Sequence, residues 1–450
     1  MTRMARRVKA AAMVVLTSAL LLVSGVTPRA EGAPPRLRVD ATGRGFETVT
    51  GQRFVYMADT AWGLLTELSS TEATTYLKNR SAKGMTVIQM VAGWDLCAGF
   101  RNCDPARPIA TYWKKLDGIV TQAEGVGLYV ALLPIWGTAV ENGRVDAVRM
   151  EAYGRFLGAR YRQHPLIWII GGDTIPAGFE ATWRALARGI AIGQNGTETY
   201  ANTLMTFHPR PYFDGSRWYG SSAYWFANEP WLSFTMLQTG HCLACVTYPW
   251  VEEEYARMPV RPVITGEPAY EHIPDQLTAG NPLITADDVE RFAYEATFAG
   301  APGHAYGANE VYGFWNPGDP AQYGYDVWGA SVPWPQALDF PGASRMGLLR
   351  GLLAAYPGRV PAPSVLLSPN PWGQLHVGVT RAANGDFVLA YVPDGSAITI
   401  DTGALRSPTA SCAWWSPRDG ASVNCGTTTT GARVFTPPTL HSWVLVLKAQ

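Results

Sequence analysis

Leu166-Ile167-Trp168-Ile169-Ile170-Gly171-Gly172-Asp173 is the stretch on which the fold turns. A short unbroken apolar run with β-branched and aromatic residues reads as a strand buried on both faces, as in a parallel sheet covered by helices. The two glycines let the backbone turn where a side chain would clash. Asp173 is therefore expected where the strand ends and its loop begins. Arg261 to Tyr270, RPVITGEPAY, repeats the design, with Gly266 and Glu267 closing a second short strand. If both strands belong to one parallel barrel, both carboxylates stand on the same rim, which is the equipment of a glycoside hydrolase.

The chain outside these strands supports a barrel. Apolar strand segments are expected at Phe54 to Ala58, Met85 to Val91, Leu128 to Leu133, Leu166 to Ile170, Thr203 to Phe207, Ser233 to Leu237, Pro262 to Thr265 and His304 to Tyr306. Amphipathic segments separate them, the clearest beginning at Ser69, where Glu72 completes a capping box and Ala73, Tyr76, Leu77 and Arg80 share a face. A similar start lies at Thr285 and Asp288, and Ala343 to Ala355 forms the last helix. Eight strand-plus-helix units are the pattern of a (β/α)8 TIM barrel, over residues 34–358. Past the Pro-rich stretch Tyr356 to Pro363 the period changes to two, in Leu375/Val377/Val379, Phe387/Leu389/Tyr391, Ile398/Ile400 and Trp443/Leu445/Leu447. Residues 364–450 thus read as a small all-β sandwich.

Composition removes several functions. The 450 residues carry 36 basic and 36 acidic side chains, with no cluster that would mark a nucleic-acid face. Charged residues make up 16% and aromatics 12%, including 17 Trp, part of which can line a sugar-binding groove. Residues 1–33 read as a signal peptide: Arg3, Arg6, Arg7 and Lys9 precede an uncharged run from Ala10 to Val26, followed by Ala30 and Ala33. A retained N-terminal anchor is the alternative; otherwise no membrane association is expected, and the protein is expected to be secreted. Six cysteines fall into three close pairs, Cys97/Cys103, Cys242/Cys245 and Cys412/Cys425, each able to close locally in an oxidising compartment.

Tyr56-Met57-Ala58-Asp59-Thr60-Ala61-Trp62, Tyr76-Leu77-x-x-Arg80-x-x-Lys83-Gly84 and Ile170-Gly171-Gly172-Asp173 follow one another along the chain. Thr265-Gly266-Glu267-x-x-Tyr270-Glu271 and His304-Ala305-Tyr306-Gly307 come after them. In these segments the chain resembles the apiosidase-like family, which contains glycoside hydrolases acting on pectic side chains. The tail is similar to a β-sandwich described as collagen-binding, through Trp415-x-Pro417-Arg418-x-Gly420, Phe435-x-Pro437-Pro438 and Trp443-Val444-Leu445. The resemblance implies a barrel hydrolase with its acid at Asp173 and its nucleophile at Glu267. It leaves the sugar open.

Each candidate has a plainer alternative. Asp173 can cap a helix beginning near Pro176, and Glu267 can form a structural ion pair with Arg261 or another rim cation. Asp59 and Trp62, ending the first strand, can grip a sugar or, for Asp59, cap the following turn. Gln89, Trp94, His208, Gln238, His304 and Tyr306 are further strand-end groups expected to touch substrate. His208 and His241 lack an HxH or HExxH spacing, so neither a metal nor another cofactor is expected. A retaining mechanism is expected, with carboxyls about 5–5.5 Å apart, against about 6.5–9.5 Å for inversion. The partner is then an oligo- or polysaccharide; a non-catalytic carbohydrate- or matrix-binding protein on the same scaffold is the alternative. In the tail, Trp372, Trp414 and Trp415 are candidates for an exposed binding surface, against a domain that simply covers the barrel's flank.

Overall fold

The computed structural model describes residues 32–319 and 328–450, so all but the last two residues of the expected signal peptide lie outside the described residues. Eight parallel strands form the ring: β1 (Tyr56–Thr60), β2 (Val87–Val91), β3 (Tyr129–Leu133), β4 (Ile167–Thr174), β5 (Leu204–Pro209), β6 (Thr235–Gln238), β7 (Val263–Glu267) and β8 (Gly303–Tyr306). The ladder runs β6-β7-β8-β1-β2-β3-β4-β5. Between β5 and β6 the ring is joined by single bonds, Ser233 N–H to the Met205 carbonyl (2.8 Å) and the Thr206 hydroxyl to the Phe234 carbonyl (2.7 Å). This nearly closed ring, with helices between its strands, is a TIM-like barrel.

Local chemistry sets the helices. Ser69 caps α1 (Ser70–Ala82) with Glu72 bonding back, and Thr285 does the same with Asp288 for α2 (Ala286–Phe298). The glycines inside the helix Ala147–Arg160 have a packing reason. A Cβ on Gly154 would sit 2.5 Å from the Leu186 carbonyl, and one on Gly158 2.2 Å from that of Ile190. The helix Glu180–Asn195 can approach so closely only because both positions are bare.

Two layers enclose the ring. Inside it, Tyr56, Ala58, Val87, Tyr129, Ile167, Ile169, Met236 and Ile264 form one core, while Met57, Ile88, Met90, Trp168, Met205 and Phe207 point outward to the helices. The short sheet of Leu37–Val39, Phe46–Thr48 and Arg53–Phe54 seals the lower end. Its Phe46 meets Phe234 edge-on at 5.3 Å, and its Phe54 meets Tyr129 at 5.0 Å. The opposite end, where the strands finish, stays open for chemistry.

The C-terminal domain opens with β9 (Arg359–Pro361), inside the Pro-rich stretch rather than after it. With β10 (Gly378–Ala382), β11 (Phe387–Val392), β13 (Thr409–Trp415), β14 (Ser422–Thr429) and β16 (Trp443–Ala449) it forms a six-stranded antiparallel sheet. β12 (Ile398–Asp401) and β15 (Ala432–Phe435) pair as a second sheet. Strand parity gives the large sheet two jobs. Val388, Ala390, Val392, Leu445 and Leu447 fill the sandwich, whereas Phe387, Leu389, Tyr391, Val444 and Val446 belong to the core of the barrel's helix layer. Tyr391 stacks on Tyr294 of α2 at 4.6 Å. Of the tail tryptophans, Trp414 is buried in the sandwich and Trp415 packs against the helix-layer core; only Trp372 is well exposed, at 75%.

All three cysteine pairs are joined: Cys97–Cys103, Cys242–Cys245 and Cys412–Cys425. No described helix is long and apolar enough to cross a membrane.

Because the two domains share one core, Leu389→Ala should cost about 2–5 kcal/mol. The urea midpoints followed by barrel and sandwich probes should then fall together; a shift confined to the sandwich would contradict a shared core.

Candidate active site

The open rim gathers polar groups around Glu267, the last residue of β7. Its Oε1 lies 3.2 Å from Nε2 of His241, and its Oε2 lies 2.9 Å from Nε2 of His208. The second contact is close but off the line of a hydrogen bond. Both rings are fixed from behind. The Asp173 backbone N–H donates to Nδ1 of His208 (3.1 Å), and that of Tyr270 donates to Nδ1 of His241 (3.3 Å). With Nδ1 taken up by a backbone N–H, each ring turns its Nε2–H toward the same carboxylate. Burial alone would raise the pKa of Glu267; the two imidazoles outweigh it and hold the group down at about 2.

Asp173 is treated oppositely. Burial raises its pKa first, the negative charge of Glu267 raises it further, and His208 and a hydrogen bond from Gln238 offset only part. Its place is made by a break in β4. The β4–β5 register jumps from Gly171↔His208 to Thr174↔Pro209, so Gly172 and Asp173 bulge out of the ladder. Gly171, Gly172 and Asp173 all have positive φ, +88°, +134° and +46°. The glycines accept this without strain, and aspartate is among the few residues that tolerate the left-handed region. The side chain is then held by Nε2 of Gln238, 3.1 Å from Oδ1.

A similar irregularity at Leu237/Gln238 sets Gln238 beside Glu267 across the β6–β7 ladder. Below, Nε2 of Gln89 crosses the barrel interior to donate to the Gly266 carbonyl (2.8 Å), fixing the backbone that presents Glu267. Trp136 stands between Trp62 and Trp94, at 5.6 and 5.1 Å, and Trp62 also meets His208 edge-on at 5.6 Å. These rings form an apolar wall beside the carboxyls, a surface on which a sugar's C–H face can rest.

The sequence-derived residues thus separate into three groups. Asp173, Glu267, His208, Gln238, Trp62 and Trp94 are together at the rim. Gln89 lies beneath it, fully buried, as support for the backbone that presents Glu267. Asp59, His304 and Tyr306 are elsewhere, and here the sequence reading is corrected. β1 continues through Asp59, so parity turns that side chain outward into the helix layer, where Arg80 Nε (2.9 Å) and the Tyr76 hydroxyl hold it. The Tyr306 hydroxyl donates to Glu271 (2.6 Å), and His304 bonds to Thr265 (2.5 Å). All three are buried away from the opening. Of the plainer readings of the carboxyls, the cap at Asp173 and the Arg261 pair are not formed, while Glu267 does meet two rim histidines. The nearest helix is capped at Phe179 rather than Asp173, and Arg261 donates to the Leu232 carbonyl rather than pairing with Glu267.

His241, Trp136 and Tyr270 complete the site without having been counted as substrate-facing. A signal existed for His241, which closes the polar run Gln238-Thr239-Gly240-His241 after an apolar strand. Its neighbour, the Cys242–Cys245 bridge, staples the loop that carries it. Among the described residues, no group of three or more His, Cys, Asp or Glu side chains is arranged to hold a metal ion.

Residues 40–358 match the family model described as "Apiosidase-like, catalytic domain". The chain belongs to the apiosidase-like family of glycoside hydrolases. Residues 360–448 match the model described as "Putative collagen-binding domain of a collagenase". Among solved structures, one named glycoside hydrolase is 30% identical, with a TM-score of 0.84 over 92% of this chain and 97% of that one. A glycoside hydrolase family 5 structure from Bacteroides vulgatus ATCC 8482 is also 30% identical, with a TM-score of 0.83 over 92% and 94%. A comparison with curated proteins finds no match. In this apiosidase-like chain, then, the family's barrel and its tail are folded against each other rather than strung apart.

Asp59→Asn should cost about 3–5 kcal/mol, the penalty for leaving Arg80 buried without its partner, with no change in the KM of the protein that folds. Thermal unfolding and steady-state kinetics together check it; a raised KM at unchanged stability would return Asp59 to the binding site.

Proposed function

We propose that the protein is a secreted, retaining glycoside hydrolase that removes a sugar from a pectic side chain, with Glu267 as nucleophile and Asp173 as acid/base. One arrangement carries the roles: His208 and His241 both meet the Glu267 carboxylate, whereas the Asp173 carboxyl is buried beside that charge with Gln238 as its side-chain donor. A nucleophile must be ionised, and Glu267 is held so by N–H groups from His208 and His241. A general acid must keep its proton, which burial and the neighbouring anion favour at Asp173.

In the first step the Asp173 proton passes to the glycosidic oxygen while a Glu267 oxygen bonds to the anomeric carbon, and the bond to the leaving group breaks. In the second, the Asp173 carboxylate takes a proton from water, whose oxygen displaces Glu267 from that carbon. Retention is supported by Gln238, which pairs with Glu267 across the ladder and also bonds the Asp173 carboxyl, so that both carboxyls meet at one residue of the rim. Once Glu267 is esterified its charge is gone, so Asp173 loses a repulsive neighbour and ionises more readily, as the base step requires. Family membership supports a pectic substrate, and the basic and apolar leader together with three local disulfides supports export.

The pH profile has a fixed sign. Activity needs Glu267 ionised, so the acid limb falls only toward about pH 2, and it needs Asp173 protonated, so the alkaline limb falls as pH passes that group's raised pKa. Asp173→Asn should lose the alkaline limb and about 10²–10⁴-fold in kcat on unactivated glycosides, with a smaller loss on nitrophenyl glycosides. Initial rates from pH 3 to 9 check this, and an alkaline limb that survives in Asp173→Asn would unseat it as the acid.

Incubation with a pectin and arabinoxylan panel should release a monosaccharide from pectin, and NMR should show the first-formed anomer with the substrate's own configuration. Glu267→Gln should abolish release. An inverted first anomer would replace retention by direct water attack.

A further inference from the structure

After β5 the chain does not turn straight into a helix. It forms a short hairpin, Tyr212–Phe213 against Trp218–Tyr219, and then the helical turn Ser222–Phe226. We propose that this aromatic hairpin is the binding platform for the sugar chain on the leaving-group side of the bond that is cut. The inference rests on the preceding assignment of Asp173 as the acid.

Both feet of the hairpin are tied beside Asp173. The Arg210 N–H donates to the Thr174 carbonyl (2.9 Å), and the Gln238 N–H donates to the Gly220 carbonyl (2.8 Å). Gln238 is the residue whose side chain holds Asp173, and the charge of Arg210 also acts on that carboxyl. A proton donor has to reach the leaving oxygen, so the departing part of the substrate lies on the donor's side. That is where the hairpin rises.

The hairpin is braced and its aromatic rings are left open. Arg217 makes a two-pronged pair with Glu253, at 3.0 and 2.7 Å, which anchors the tip to the helix Tyr248–Ala256. Its guanidinium lies over Tyr219 at 4.3 Å, and Tyr219 stacks on Tyr224 at 4.0 Å. Across the hairpin Phe213 and Trp218 pair at 5.4 Å, yet they remain 48% and 58% exposed. Large rings held rigid in water, with no apolar cover among the described residues, suit a flat partner with C–H faces and polar edges. An oligosaccharide of several pyranose rings has that chemistry.

Trp218→Ala and Phe213→Ala, each confirmed folded by circular dichroism, test the platform. On pectin-derived oligosaccharides kcat/KM should drop about five- to tenfold more than on the nitrophenyl glycoside of the released sugar. Equal losses on both substrates, or no loss on either, would overturn it. Binding gives a second arm independent of turnover: Glu267→Gln protein titrated calorimetrically with the same oligosaccharides should weaken about five- to tenfold when Trp218→Ala is added. An unchanged Kd would overturn the platform even if hydrolysis is confirmed. Retained hydrolysis by Glu267→Gln would instead overturn the nucleophile, leaving the platform to be judged by the binding arm.

Discussion

A buried carboxylate kept charged is the constraint from which the rest of the site follows. Taking Glu267 out of water would ordinarily force a proton onto it. Two imidazoles prevent this, each turning its Nε2 to the carboxylate because a backbone N–H occupies its other nitrogen. The donors of those backbone bonds are Asp173, in the bulge of β4, and Tyr270, on the loop after β7. The charge of Glu267 is thus supported by the path of the main chain around the rim.

The same arrangement explains the contrast between the carboxyls. Asp173 contributes its amide to His208 but receives from Gln238 only one side-chain hydrogen bond, and it faces the charge of Glu267. One group takes the stabilising donors and the other takes the repulsion. The price is a strained backbone at Asp173, where φ is +46°, next to two glycines that take the rest of the bend. Strain at this position is tolerated because the ladder on either side, Ile167 to Gly171 against Leu204 to His208, is regular and buried.

Around the site the scaffold is closed on three sides. The N-terminal sheet caps the lower end through Phe46, and the helices wrap the ring. The sandwich then completes one flank by lending alternate residues of β11 and β16 to the helix-layer core. A surface ion-pair group, Arg418 and Arg345 around Asp287 with Arg345 reaching Glu290, edges that junction. Burial pushes the Glu290 carboxyl up to about 7 even so, because Ser442 and Arg345 only partly replace the water it has lost. The tail is therefore a structural partner of the barrel by its packing, whatever else its exposed Trp372 touches.

By itself the sequence determined the alternation of strand and helix, the switch to a period of two after residue 363, the three cysteine pairs and the two carboxyls. These are all local: burial on both faces, capping and turn chemistry act within a few residues of each signal. Tertiary structure decided which strand-end groups meet. Asp59, His304 and Tyr306 sit in segments as polar as those of His208 and Gln238, but one step of strand parity sends them to the outer layer. Bulges at Gly171 and Leu237 bring Asp173 and Gln238 into the mouth instead. His241 becomes part of the site only through a neighbour from another strand. A side chain's face depends on where the ladder slips, and slippage is settled by the strands on either side, which no single segment contains.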